Sequence, residues 1–202
     1  MPERVDPEEL RRRIDSGEWV VDLRERTAFA AGHLGGTLGF ELSGSFVTYL
    51  GWLYTWGAPL TLIGESEEQV LDARRELVRI GIDDLEGAAV GEIHTLVAGT
   101  ELRSYRVADF PALARRRDEQ QVTVLDVRQA NEFDESHIDG AVNIALHELA
   151  DRLDEVPQGE VWVHCASGYR SSIAASMIDA PERNVVLVND EFDRARELGL
   201  TG

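Results

Sequence analysis

An α/β fold in two tandem units, each a central parallel sheet flanked by helices on both faces, is what this sequence predicts. Two observations predict it. The first is an internal repeat: residues 20–40 read VVDLRERTAFAAGHLGGTLGF and residues 124–144 read VLDVRQANEFDESHIDGAVNI. At one constant offset Asp22 matches Asp126, Arg24 matches Arg128, Phe29 matches Phe133, His33 matches His137 and Gly36 matches Gly140. A period of roughly a hundred residues is too long for a solenoid unit and suits tandem domains. The second observation is the alternation of short, continuous apolar runs with segments of helical spacing, the mark of buried parallel strands covered by helices.

The second half shows the alternation most clearly. Tyr105–Val107 reads as a short strand. Asp109 caps a helix over Pro111–Arg117, with proline tolerated in the first turn. Val122–Asp126 is a compact apolar strand and Gln129–Glu135 a short helix. Val142–Ile144 is extended, and Leu146–Leu153 has helical spacing. Val161–His164 is a strand, Ser171–Ile178 an apolar helix, Val185–Val188 a strand and Glu191–Leu198 a closing helix. The boundary between units is placed in the Gly-containing stretch VAGTEL, giving domains 1–98 and 99–202. Sheets of this kind place ligands beyond the carboxyl ends of their strands.

Composition narrows the function classes. The 202 residues carry a net charge of −18, which argues against nucleic acid and against anionic membrane surfaces as partners. No segment is compositionally disordered, with 43% apolar residues. Every permanently cationic side chain is Arg, which reads as a composition bias. The longest apolar-looking stretch, Phe46–Leu62, is interrupted by Gly51, Gly57 and Pro59 and is too short to span a bilayer. Its aromatic residues Phe46, Tyr49, Trp52, Tyr54 and Trp56 are expected to pack in a core, the alternative being the wall of a cleft. A single cysteine excludes an internal disulfide and a cysteine metal cage, and fits a reducing, cytoplasmic setting.

That cysteine, Cys165, lies in VWVHCASGYRSSIAASMI, where a buried strand runs into a tight glycine-containing segment and then a helix. Free backbone N–H groups at the helix start converge on a negative charge, and the helix dipole adds to their effect. Gly168 permits the backbone angles of such a cradle. Arg170 contributes a permanent positive charge, and together these favour thiolate over thiol. Ala166, Ser167, Gly168, Tyr169 and Ser171 complete the candidate binding loop. His164 points to the opposite face by strand alternation and is read as a packing residue. Asp126, Arg128 and Glu132 are read as support beneath the loop, with Arg128 and Glu132 spaced to pair across a helical turn. His33 and His137 recur in both halves and are read as structural; a metal site there is poorly supported.

Cys165-Ala-Ser-Gly168-Tyr-Arg170 resembles the active-site loop of the rhodanese (sulfurtransferase) family. The upstream LDVRQANEFDESHIDGAVNI resembles that family's DVR…EF…HI-x-GA-x-N stretch. The resemblance implies two tandem rhodanese-like domains, a cysteine that cycles between thiolate and persulfide, and no metal or organic cofactor. It implies a small anionic sulfur donor, such as thiosulfate or a low-molecular-weight persulfide, and a thiol or sulfite acceptor. Cysteine-dependent phosphatases resemble the same segment but use C-x5-R; here the spacing is C-x4-R, a tighter cradle suited to a single sulfur. Phosphatase and arsenate reductase activities therefore rank behind sulfur transfer. Tandem units of this kind also resemble the C-terminal part of metallo-β-lactamase-fold sulfur dioxygenases or hydrolases. A partner domain of that fold, with this chain as a noncatalytic or accessory module, is the alternative; no H-x-H-x-D-H motif occurs in the chain itself.

In the first half, APLTLIGESEEQVLDARREL aligns with the Cys165 segment. Gly64 falls opposite Cys165 and Gln69 opposite Arg170, while Glu65, Glu67 and Glu68 occupy the place of an anion cradle. Carboxylates there repel a persulfide, so this half is expected to be inactive.

Overall fold

The computed structural model describes residues 2–202. The chain divides into two units, Met1–Ser104 and Tyr105–Gly202, with the division later than the 98/99 boundary placed from the sequence. Each is an α/β unit with a wholly parallel sheet.

In the first unit, α1 (Pro7–Asp15) is capped by Asp6, whose carboxylate accepts from Glu9 N–H. It is followed by β1 (Trp19–Asp22), α2 (Arg26–Ala31), β2 (Leu38–Gly39), α3 (Phe46–Leu53), β3 (Leu60–Gly64), α4 (Glu67–Arg79) and β4 (Gly87–Val90). The strand order is β2-β1-β3-β4. α1 covers one face, over a core that includes Val5, Leu10, Val20 and Ile63. α4 packs on β3 and β4 and buries Val70, Ala73 and Leu77, positions that share one helical face. α3 buries Phe46 and Leu50, four apart, so Trp52 is turned outward and is 55% exposed; Trp56, beyond the helix, is 58% exposed. Core packing, expected for all five aromatics, therefore fails for these two.

In the second unit the order is β5 (Arg106–Ala108), α5 (Phe110–Glu119), β6 (Thr123–Asp126), α6 (Ala130–Glu135), β7 (Val142–Asn143), β8 (Gly159–His164), α7 (Tyr169–Ile178), β9 (Arg183–Val188) and α8 (Phe192–Glu197). Leu146–Glu155 forms 3-10 turns broken at Arg152, rather than the regular helix its spacing predicts. The strand order is β5-β9-β8-β6-β7. Asp109 caps α5 by accepting from Ala112 N–H. α5 and α8 cover one face through Phe110, Leu113, Phe192 and Ala195, which surround Trp162 and Val186. α7 packs on β8, β9 and the 3-10 segment, and its buried surface reaches most of the way round, including Ser171, Ile173, Ala174, Ala175 and Ile178. Small residues let this helix lie close to the sheet.

The two sheets share the arrangement of four strands. The second adds β5 at its edge, whereas in the first the same edge of β4 holds a single parallel bridge between Arg4 and Ala88. No helix among the described residues is long and apolar enough to cross a membrane.

Candidate active site

Strand alternation sends Val161 and Val163 toward α7, and Trp162 and His164 toward α5 and α8. β8 ends at His164, so Cys165 is the first residue beyond the sheet and is 2% exposed. Gly168 follows with φ 93°, in the left-handed region, and is the N-cap of α7. That conformation turns its N–H onto Cys165 Sγ at 3.2 Å. The helix starts at Tyr169, two residues before the Ser171 start its sequence pattern suggests. A thiol or thiolate sulfur thus sits at a helix N-terminus with a backbone donor already aimed at it, an arrangement that stabilises negative charge.

Two further contacts fix the loop. Phe192 N–H donates to the Ala166 carbonyl at 2.8 Å, tying the loop to the start of α8. Ser171 is fully buried, and its hydroxyl donates to the carbonyls of Gly168 (3.0 Å) and Val188 (3.3 Å). That hydroxyl therefore braces the helix start against β9. Ser167 is exposed, and Ala166, Tyr169 and Arg170 are partly exposed around the loop.

Arg170 is paired with Glu132 by two hydrogen bonds, of 2.6 and 2.8 Å. The guanidinium holds the Glu132 carboxyl below its ordinary pKa, more strongly than partial burial raises it. Glu132 also accepts from Gln129 N–H at 3.1 Å, in the reciprocal cap of α6. The Arg128–Glu132 pair expected from four-residue spacing does not form. α6 begins only at Ala130, so Arg128 lies outside the helix and the spacing carries no helical geometry. Instead Arg128 folds back on buried Asp126, with Nη2–Oδ2 at 2.6 Å and Nε–Oδ1 at 3.0 Å, and donates to the Ser136 carbonyl. The first unit repeats this clip: Arg24 grips Asp22 at 2.7 Å and donates to the Gly32 carbonyl. The recurring Asp-x-Arg was the sequence signal for it.

Beneath the loop, the Arg128 guanidinium lies 3.6 Å from the Phe192 ring centroid, and Phe192 stacks on His164 at 5.5 Å and 8°. His164 is fully buried; Nδ1 is 3.3 Å from the Cys165 carbonyl oxygen and Nε2 is 3.5 Å from Asp126 Oδ2. Burial lowers its pKa against the pull of Asp126, so the ring is neutral in this shelf of stacked groups. Asn143 completes the support by donating to the Asp126 and Arg128 carbonyls. Phe192 escaped the sequence reading, and Asn143 entered it only as the last residue of the HI-x-GA-x-N stretch, without a role: nothing local ties either to Cys165. His33 and His137 stack on Phe29 and Phe133, at 4.2 and 4.0 Å, and each Nδ1 meets the carbonyl of the same residue. Their identical settings in both units make them scaffold.

The corresponding loop of the first unit is filled from within. Ser66 caps α4 by accepting from Gln69 N–H. The Gln69 side chain accepts from Glu65 N–H at 2.8 Å and donates to the Leu23 carbonyl at 3.1 Å. Gly64 carries no side chain, and a Cβ there would meet Val70 Cγ2 at 2.9 Å and Gln69 Oε1 at 3.1 Å.

Comparison with known proteins finds similarity centred on the second unit. Residues 110–194 match the model of the rhodanese-like domain. The protein named "Putative sulfur carrier protein YrkF" of Bacillus subtilis is 35% identical over 104 residues, covering 47% of this chain and 56% of that protein. A rhodanese-related protein of Thermoplasma volcanium is 28% identical with a TM-score of 0.43, covering 47% of this chain and 94% of that one. Thiosulfate sulfurtransferase of Pseudomonas aeruginosa is 19% identical with a TM-score of 0.42, covering 98% of this chain and 42% of that one. The chain spans little more than half of YrkF. The matched residues 110–194 include the whole loop from Cys165 to Arg170.

Proposed function

We propose that the second unit is a sulfurtransferase that carries a sulfane sulfur on Cys165 as a persulfide. The observation that carries this reading is the Gly168 N–H on Sγ at 3.2 Å, at the start of α7. The rhodanese-like match over the same residues supports it.

The Cys165 thiolate attacks the outer sulfur of thiosulfate; the S–S bond to Cys165 forms, the bond to the sulfonate group breaks, and sulfite leaves. An acceptor thiolate then attacks the outer sulfur of the Cys165 persulfide, forms its own persulfide and returns Cys165 as thiolate. This is nucleophilic covalent catalysis by thiol–disulfide-type exchange. The loop amides, from Ala166 through Tyr169, hold the terminal sulfur's charge. Arg170, engaged by Glu132, acts as a positioning residue that holds α6 to the loop. With one cysteine in the chain, the acceptor comes from outside it. The short C-x4-R spacing favours a single sulfur over a phosphate. The first unit, with Gly64 at the cysteine position, takes no sulfur.

Intact mass after incubation with thiosulfate tests this. A gain of about 32 Da that excess thiol removes is expected. Cys165→Ser should abolish it; a folded wild-type protein that gains no sulfur from any sulfane donor would refute the proposal.

A further inference from the structure

The first unit turns Trp56 outward, and this side chain lines a cavity of about 320 Å³ at the amino ends of β3 and β4. The position is at the opposite end of that sheet from Gly64. One wall of the cavity is aromatic. Tyr54 is 6% exposed, donates its hydroxyl to the Ala58 carbonyl, and meets the Trp19 ring edge-on at 5.4 Å and the Trp56 ring at 6.0 Å. Tyr54 therefore braces the indole of Trp56 from one side, while the rest of that ring stays open to water. A large apolar side chain left in water is the informative exception to burial. The other wall carries Asp83, Asp84 and Glu86, from the turn between α4 and β4, and no Arg or His lines the cavity. Their carboxylates make no hydrogen bond or ion pair among the described residues. Burial raises the pKa of the Tyr54 phenol and the Glu86 charge adds to it, as expected of a carboxylate beside the ring. No three carboxylate, His or Cys side chains among the described residues are arranged to hold a metal ion, so the acidic wall is not a metal cage.

We propose that this cavity docks an arginine side chain of a partner protein, with the guanidinium stacked on the Trp56 indole and paired with the acidic wall. The combination of the two walls chooses that occupant. An indole face attracts cations, and three unpaired carboxylates on the facing wall add to the attraction. A quaternary ammonium has no N–H to give to a carboxylate and is held by cages of several aromatic rings; here one exposed ring stands against three acids. A lysine ammonium pairs with a carboxylate as a point charge and does not stack. A guanidinium does both: its plane lies on the ring, and its fork of N–H donors matches a carboxylate. Trp, Tyr and Arg are also the side chains on which protein interfaces concentrate their binding energy. The inference does not rest on the sulfur-transfer reading of Cys165.

The nitrogen-15-labelled full chain is titrated with acetyl-Gly-Arg-Gly-amide, with its citrulline and lysine versions, and with tetramethylammonium chloride. The indole N–H signals are followed by NMR; that of Trp56 is the one missing from Trp56→Leu. The arginine peptide is expected to shift the Trp56 signal saturably and to bind roughly tenfold tighter than the neutral citrulline peptide, the scale of one exposed cation–π contact with an exposed ion pair. The lysine peptide should bind more weakly than the arginine one, and the arginine preference should shrink in about 0.5 M NaCl. In Asp83→Asn/Asp84→Asn/Glu86→Gln, a substitution of exposed side chains only, arginine should fall to the level of citrulline. No saturable shift, equal affinity for the arginine and citrulline peptides, or an arginine preference that the triple substitution leaves unchanged would overturn the proposal. Tighter binding of tetramethylammonium than of the arginine peptide would overturn the choice of a guanidinium. A chain that sediments as a dimer, and as a monomer once Trp56→Leu is introduced, would make the occupant a second copy and overturn the separate partner.

Discussion

Arg170 and Glu132 form the ion pair closest in sequence to Cys165, with side chains 12% and 32% exposed. A partly buried pair of this kind is costly to halve, because the survivor keeps its desolvation without its partner. Arg170→Ala strands the Glu132 carboxylate beside the loop, where it opposes an incoming anion. Sulfur loading from thiosulfate is expected to fall by about ten- to a hundredfold, the scale of one to two such interactions. Arg170→Ala/Glu132→Gln removes the stranded charge as well and should recover part of the loss. Stopped mass measurements on both variants decide the point. An equal loss in the two would mean that Arg170 acts on the anion itself and that its tie to Glu132 is incidental. His164 has no such role open to it: neutral, fully buried and stacked on Phe192, it supports the loop through the Cys165 carbonyl.

The start of α7 is the element on which the chemistry depends, and its N-cap is the left-handed residue Gly168. A side chain in that conformation costs about 1–2 kcal/mol. Gly168→Ala is therefore expected to destabilise the chain by that amount in urea unfolding and to slow Cys165 sulfur loading, because the N–H on Sγ is turned away. Unchanged loading at reduced stability would separate the cap from the cradle. The first unit shows the same strand-to-helix junction put to another use. Ser66 caps α4, and Gln69 spends both ends of its amide on Glu65 N–H and the Leu23 carbonyl. One junction is closed by its own side chains and the other leaves a backbone donor on a sulfur. Glycine and arginine spacing made the open junction legible in the sequence. The partner of the arginine was not legible, because Glu132 lies 38 residues away on another element and local spacing assigned Glu132 to Arg128, which is committed to Asp126.

At the scale of the whole molecule, ion pairs tie separate elements together despite the net −18. Arg116 on α5 reaches Glu160 on β8 at 2.8 and 2.9 Å, and Trp162 donates to the same carboxylate at 2.7 Å. Hydrogen bonding from Arg116 holds Glu160 at a pKa of about 2, against an ordinary 4.5. A carboxyl depressed on folding adds stability that is present above its unfolded pKa and is lost as pH falls through the folded value. Urea unfolding should therefore show stability falling between about pH 5 and pH 2, with a shallower fall in Glu160→Gln. Parallel slopes would exclude Glu160 from the acid response. The alternation of apolar runs and helical segments determined the α/β class from the sequence alone, since those periods are local properties of the chain. The position of Cys165 between a strand and a glycine-capped helix followed from the same local rules. Tertiary structure alone decided that Glu132 belongs to Arg170, that Phe192 and His164 form the shelf beneath the loop, and that Trp56 meets Asp83, Asp84 and Glu86 at one cavity. With 38 acidic and 20 basic side chains available, ion-pair partners are chosen by which strand ends and helix starts converge in space, and sequence spacing does not encode that choice.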